Sequence, residues 1–142
     1  MAKLLLVVTG ASRGLGRAIA KAFCDEQLIG FSETFHEVRA FLVARSQTGL
    51  QETEDLMLQQ ASGIQSRKLK VDCSQHVIDL SDLDTLDSNL DDLFTEIVKD
   101  IPDADHVVFI NNAGSLGYLG PCAESPSLAD MRANVDLNIT SA

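Results

Sequence analysis

Leu4 to Val8 is an unbroken apolar run, the pattern of a strand covered on both faces and not of one half-exposed to water. After three closely spaced glycines, Leu15, Ile19, Ala22 and Phe23 recur at helical spacing, which predicts a helix running to about Gln27. Gly30 and Ser32 break the pattern before Val38 to Ala44 returns as a second β-favouring run. Gln51 to Gln60 has helix-forming composition with Leu56 on one face, and Gly63 stands where a C-terminal cap would. Between Lys68 and Leu80 a third strand is expected, ending near Asp79. Leu83, Leu86, Leu90, Leu93, Phe94, Ile97 and Ile101 step by three and four, with Ser81 as the expected N-cap and Pro102 as the stop. His106 to Ile110 predicts a fourth buried strand, leading into Asn111, Asn112, Ala113 and Gly114. A last helical pattern from Ser127 to Ala142 carries Leu128, Met131, Val135, Asn138 and Ile139 on related faces.

Strand and helix alternate four times, which specifies an α/β fold: a doubly wound parallel sheet with helices on both faces and right-handed crossovers. The 142 residues make one domain, with no internal repeat or low-complexity segment. The final helical pattern stops without a capping glycine, so residues 1–142 are expected to be the incomplete first part of such a domain, lacking its last strands and helices.

Charge narrows the partners. Eleven basic against 21 acidic side chains leave a formal charge of −10, which repels phosphate backbones and anionic membranes and argues against a nucleic-acid or membrane role. The apolar run near the N-terminus is too short for a signal peptide core or a membrane span. Cys24, Cys73 and Cys122 are odd in number and widely spaced, so neither a disulfide framework nor a metal site is indicated, and a reducing cytoplasm fits best. With His36, His76 and His106 they show no nucleophile–base spacing; all six read as packing or surface residues.

The chemistry concentrates in Thr9-Gly10-Ala11-Ser12-Arg13-Gly14-Leu15-Gly16, between a buried strand and a helix. Gly10 suits a tight turn, Gly14 a close backbone approach to a pyrophosphate, and Gly16 close helix–strand packing, while the helix N-terminus faces the anion. A nucleoside-triphosphate loop would need Lys and then Ser or Thr after the last glycine, where Arg17 and Ala18 stand.

The T-G-x-x-x-G-x-G spacing, Asp79-Leu80 after the third strand and Asn111-Asn112-Ala113-Gly114 after the fourth occur in the order of the short-chain dehydrogenase/reductase family, which this chain resembles over nearly its whole length. The resemblance implies a Rossmann-type fold and reduction of a carbonyl in a small-molecule substrate by hydride from a nicotinamide cofactor. Thr9 to Gly14, Ala44-Arg45-Ser46, Ile110 to Gly117 and Leu137 to Ser141 are similar to the branch of the family that reduces pterin side-chain ketones. An arginine at the end of the second strand, where an NAD site carries an acid, can pair a 2′-phosphate; Arg45, beside Ser46, holds that place, and Arg13 would add a second cation, so the cofactor expected is NADP.

By resemblance Asp79 contacts the adenine and Leu80 lines its pocket, Asn112, Ala113 and Gly114 approach the ribose side, and Asn138 is the helix asparagine that helps to hold a water and a proton-relay lysine in the catalytic machinery. A homodimer, joined partly through the helix that begins near Ser127, is likewise implied by resemblance alone. The family's proton donor is a tyrosine followed four residues later by lysine. Here the only tyrosine, Tyr118, is followed by Cys122, and neither Ser115 nor Ser141 precedes such a pair, so neither is assigned to catalysis. A catalytically silent dinucleotide-binding module and a reductase for another ketone therefore remain the alternative readings.

Overall fold

A computed structural model describes residues 2–25, 35–64, 68–117, 119 and 127–141. Tyr118 and Cys122, and the greater part of the 28–37 connection, lie outside the described residues. The order is β1 (Ala2–Thr9), α1 (Gly14–Ala22), β2 (Phe35–Ala44), α2 (Gln47–Ser62), β3 (Lys70–Val77), α3 (Leu83–Asp100), a short 3₁₀ turn (Ile101–Asp103), β4 (His106–Ile110) and α4 (Leu128–Val135), which runs on into a π-helical turn (Asp136–Thr140). The four strands form one parallel sheet in the order β3-β2-β1-β4.

β1 sits at the middle of that sheet, and its side chains alternate between two cores. Leu4, Leu6 and Val8 pack with Val38, Ala40, Leu42, Leu50 and Met57 on the side of α1 and α2. Leu5 and Val7 pack with Phe41, Val43, Leu86, Leu93 and Ile97 on the side of α3. Helices on both faces explain why the strand is apolar throughout, as the doubly wound reading requires.

Several boundaries differ from the sequence expectation. α1 ends at Ala22, not near Gln27, where the N–H of Cys24 bonds the Lys21 carbonyl and its buried thiol enters the core. β2 begins at Phe35 and includes Arg39, a charge within the apolar run. Its guanidinium pairs with Asp100 at 2.8 Å and Asp72 at 3.4 Å, bonds Ser74 Oγ at 2.7 Å and lies 4.5 Å from the centre of the Phe41 ring. α2 starts four residues early, at Gln47, because Ser46 Oγ accepts the Gly49 N–H and caps the helix. β3 stops at Val77, two residues before Asp79. Asp82, not Ser81, stands at the N-cap of α3, because the Ser81 hydroxyl is spent on Asp79.

Two expected apolar surfaces are open. β4 is an edge strand, and Val107 and Phe109 are each about half exposed, not buried. Along the last helical segment Leu128, Met131, Val135 and Ile139 all face outward. No helix among the described residues is long and apolar enough to cross a membrane. Burial pushes the Cys24 thiol up to about 12, and burial with nearby acidic groups does the same at Cys73, so both stay protonated at neutral pH.

Because Leu6 is completely enclosed at the centre of the sheet, Leu6→Ala should lower the unfolding free energy by about 3 kcal/mol. Leu128→Ala, on the open face of α4, should change it by less than about 0.5 kcal/mol. Urea unfolding followed by circular dichroism checks both.

Candidate functional site

At the C-terminal ends of β1, β2 and β4 the chain surrounds a cleft of about 810 Å³. Open α/β sheets place ligands in this position, outside the carboxyl ends of their strands. Its floor is the glycine turn. Gly10 has φ +67°, and a Cβ there would stand 2.9 Å from both Ala113 Cα and Asn112 Nδ2. Gly16 is tighter still, since its Cβ would run into the Gly10 carbonyl. Gly14, at φ +55°, faces nothing within 4 Å, which leaves its side of the turn open to an approaching group. Gly10 is therefore required both for its backbone conformation and for the space around it, Gly14 for conformation and Gly16 for space.

Thr9, the last residue of β1, joins this floor to the opposite wall. Its buried hydroxyl accepts the N–H of Asn112 and of Ala113, each at 3.0 Å, and donates to Asn111 Oδ1 at 3.2 Å. The Asn112 amide returns to the carbonyls of Thr9 at 3.2 Å and Gly10 at 3.4 Å. Nothing in the sequence marks this role of Thr9, since a lone threonine at a strand end carries no signal of contacts a hundred positions away.

Of the residues expected to hold a cofactor, Gly10, Ser12, Arg13, Gly14, Leu15, Arg45, Ser46, Leu80, Asn112, Ala113 and Gly114 line this one cleft. Ala11 and Gly16 lie behind it: Ala11 is buried, with its N–H on the Val43 carbonyl at 3.2 Å. Leu15, in the first turn of α1, is 68% exposed and faces the cleft.

Asp79 does not line the cleft; its carboxylate accepts the Ser81 hydroxyl at 2.6 Å and N–H at 3.0 Å, an Asx turn that leads the chain from β3 into α3. The hydroxyl bond holds the Asp79 carboxyl below its usual range against the opposing effect of burial, with the Ser81 N–H and the Arg45 charge adding to it. Asn138 is bound to the loop after β4: its Oδ1 accepts the Ser115 N–H at 2.9 Å, and its Nδ2 donates to the carbonyls of Ser115 at 2.8 Å and Asn134 at 2.9 Å. Both of its donor hydrogens are thereby used, so Asn138 anchors Ser115 and the wall that contains Gly114 to the last helical segment.

The electrostatics are local. α1 and α2 both begin at the cleft, so the positive ends of two helix dipoles meet there. Among the described residues neither Arg13 nor Arg45 has a carboxylate within ion-pair distance, whereas Arg17 is paired with Glu52 at 2.7 Å. An otherwise acidic chain thus presents a positive cleft suited to a multiply charged anion. None of Cys24, Cys73, His36, His76 and His106 lines it.

No family model and no curated protein matches the sequence. Solved structures do match, among them a putative short-chain alcohol dehydrogenase from Sinorhizobium meliloti and a short-chain type dehydrogenase/reductase from Mycobacterium marinum. The chain aligns with NAD⁺-bound xylitol dehydrogenase at a TM-score of 0.65 and 20% identity, over 98% of this chain and 43% of that one. With levodione reductase the TM-score is 0.61 at 26% identity, over 98% and 44%. A 3-oxoacyl (acyl-carrier-protein) reductase from Agrobacterium tumefaciens with NADP bound gives 0.56 at 18% identity, over 96% and 42%. The fold is the Rossmann-type α/β fold of these proteins, and this chain spans less than half the length of the chains it matches.

Two outcomes are expected from this geometry. Thr9→Val leaves two N–H groups without an acceptor and should cost about 2 kcal/mol in urea unfolding, a typical penalty for breaking such bonds one-sidedly. Asp79, whose carboxyl is depressed in the folded state, contributes stability that is fully present above the ordinary carboxylate value and is lost as the pH falls through the depressed one. Ser81→Ala should raise the Asp79 midpoint in a carboxyl NMR titration and weaken that acid-side dependence; an unmoved midpoint would refute the assigned cause.

Proposed function

We propose that the cleft holds NADP(H) and that this chain is the cofactor-binding half of a short-chain carbonyl reductase. The observation that carries this reading is the convergence of Arg13 and Arg45, neither in an ion pair among the described residues, with the glycine turn and two helix N-termini on one cleft. The cofactor fits the residues present: the open space at Gly14 and the start of α1 suit the pyrophosphate, and Arg13, Arg45 and Ser46 suit a 2′-phosphate, where an NAD site would carry an acid. In this reading Leu80 bounds the adenine end, with Asp79 shaping the turn behind it through Ser81, Asn112, Ala113 and Gly114 border the ribose side, and Asn138 supports the wall against which the reacting end is held.

Bound there, the cofactor supplies a hydride for a substrate carbonyl carbon. What this chain contributes is orientation, through Thr9 and Asn112, and neutralisation of the phosphate charge. The sequence contains no tyrosine followed four residues later by lysine, so the proton donor of a complete enzyme is not among these 142 residues.

For the substrate, we favour a pterin side-chain ketone, making the parent protein a sepiapterin reductase of the tetrahydrobiopterin route, acting as a cytoplasmic homodimer. Support comes from the similarity of four stretches, Thr9 to Gly14, Ala44 to Ser46, Ile110 to Gly117 and Leu137 to Ser141, each of which borders the cleft. The missing tyrosine–lysine pair favours, as second reading, a catalytically silent NADP-binding module.

Fluorescence titration of the purified chain tests the assignment. NADPH should bind more tightly than NADH, and Arg45→Asp should weaken NADPH by about 10- to 100-fold, the loss of one charge-assisted contact, while leaving NADH unchanged or tighter. Absence of binding to a chain with a cooperative thermal transition would overturn the cofactor assignment. Reduction of sepiapterin by this chain alone would overturn its description as a cofactor half.

A further inference from the structure

Arg13 and Arg45, neither in an ion pair among the described residues, stand on different segments of the cleft, Arg13 on the glycine turn and Arg45 between β2 and the Ser46 cap of α2. A close-packed seam joins the segments. A Cβ on Gly49, in the first turn of α2, would lie 2.8 Å from both Cβ and the carbonyl oxygen of Ser12. Across the seam runs the side chain of Arg17. Its Nη2 donates to the carbonyl of Ser12, to that of Gly49 at 3.3 Å and to Glu52 Oε2 at 2.7 Å, and its Nε donates to Thr53 Oγ1 at 3.1 Å.

Thr53 is completely buried, and its hydroxyl lies 2.7 Å from the Ala11 carbonyl and 3.0 Å from that of Gly49. A hydroxyl at that depth is costly unless fully bonded, so its position is narrowly specified. Arg17 and Thr53 together grip the carbonyls of Ala11 and Ser12. In a trans peptide the following N–H points the opposite way, so the N–H groups of Ser12 and Arg13 are aimed by the same grip. Glu52 takes up the charge of Arg17, which leaves it poorly suited to bind a phosphate itself.

We propose that Arg17 is a positioning residue for cofactor choice: with Thr53 it locks the Arg13 segment onto the Arg45 segment and so sets the spacing of the two cations that select a 2′-phosphate. The inference rests on the NADP reading given above. Under it the 2′-phosphate is the group held from both segments at once, so loosening the seam penalises NADPH and spares NADH, which lacks that phosphate.

Affinities for NADPH and NADH measured on the intact chain and on Arg17→Met, Thr53→Val and the double variant decide the matter. Each single variant should reduce the NADPH-to-NADH affinity ratio by about tenfold, the scale of one misaligned charge-assisted contact. The double variant should lose no more than Arg17→Met alone, because both changes break one device. Equal losses for the two cofactors would reduce Arg17 to a structural role. Selectivity kept in Thr53→Val but lost in Arg17→Met would instead mean direct action of the arginine charge. Either result overturns the proposal. If Arg17→Met does not fold, Thr53→Val and Arg17→Lys carry the same comparison, with NADH affinity as the control for an intact cleft. An original chain without NADPH preference would refute the NADP reading; a preference that survives every variant would refute only the lock.

Discussion

The hydroxyl of Thr9 is the point on which the cleft depends. β1 is enclosed by β2 and β4 and by helices on both faces, so its last residue can meet the outside only at the carboxyl edge of the sheet. There its one oxygen serves Asn111, Asn112 and Ala113 together. Without that junction the glycine turn would still form, because Gly10 and Gly14 alone relieve its positive φ angles. It would have no fixed wall opposite, however, and a cradle open on one side orients nothing.

Net charge is a poor guide to what such a cleft can bind. The chain carries −10 overall, yet Arg13, Arg45 and two helix N-termini meet on one face. Field lines at a ligand are set by the nearest few charges, since more distant ones are screened within about 10 Å at moderate salt. The Arg17–Glu52 pair adds to this arrangement by subtraction, for it removes one cation from the count and turns it into a mechanical element.

What could be read from the sequence follows the same division between local and distant causes. The alternation of strand and helix, the continuous apolar run of β1, the long helix ended before Pro102 and the three glycines are legible because each is dictated by neighbours in the chain. Leu15 was legible only through the glycine motif, since periodicity identifies an apolar helical position but does not tell a core face from a cleft face. The start of α2 was hidden because Thr48 and Gly49 are weak helix formers, and only the Ser46 cap and the contact of Gly49 with Ser12 account for them. Ser81 was the better capping residue on paper, but its hydroxyl had a nearer anion in Asp79. β4 was taken as buried because its composition is that of an enclosed strand, whereas exposure is decided by what packs on it. Arg17 and Thr53 had no legible role at all, since their partners lie more than thirty positions apart.

Thr9 and Asn112, whose hydrogen bond closes the cleft, are 103 positions apart in the chain. Contacts of such separation bear the largest loop-closure cost and form slowly, after local helices and near pairings are already in place. A nascent chain therefore displays the whole glycine turn long before β4 emerges to sit beside β1. At a synthesis rate of roughly 5–20 residues per second that interval lasts on the order of ten seconds, during which the turn exists without a wall and the apolar flank of β1 stays uncovered. The anion cradle is thus encoded first and completed last, and the newly made polypeptide passes through a period in which shielding that flank falls to its cellular surroundings.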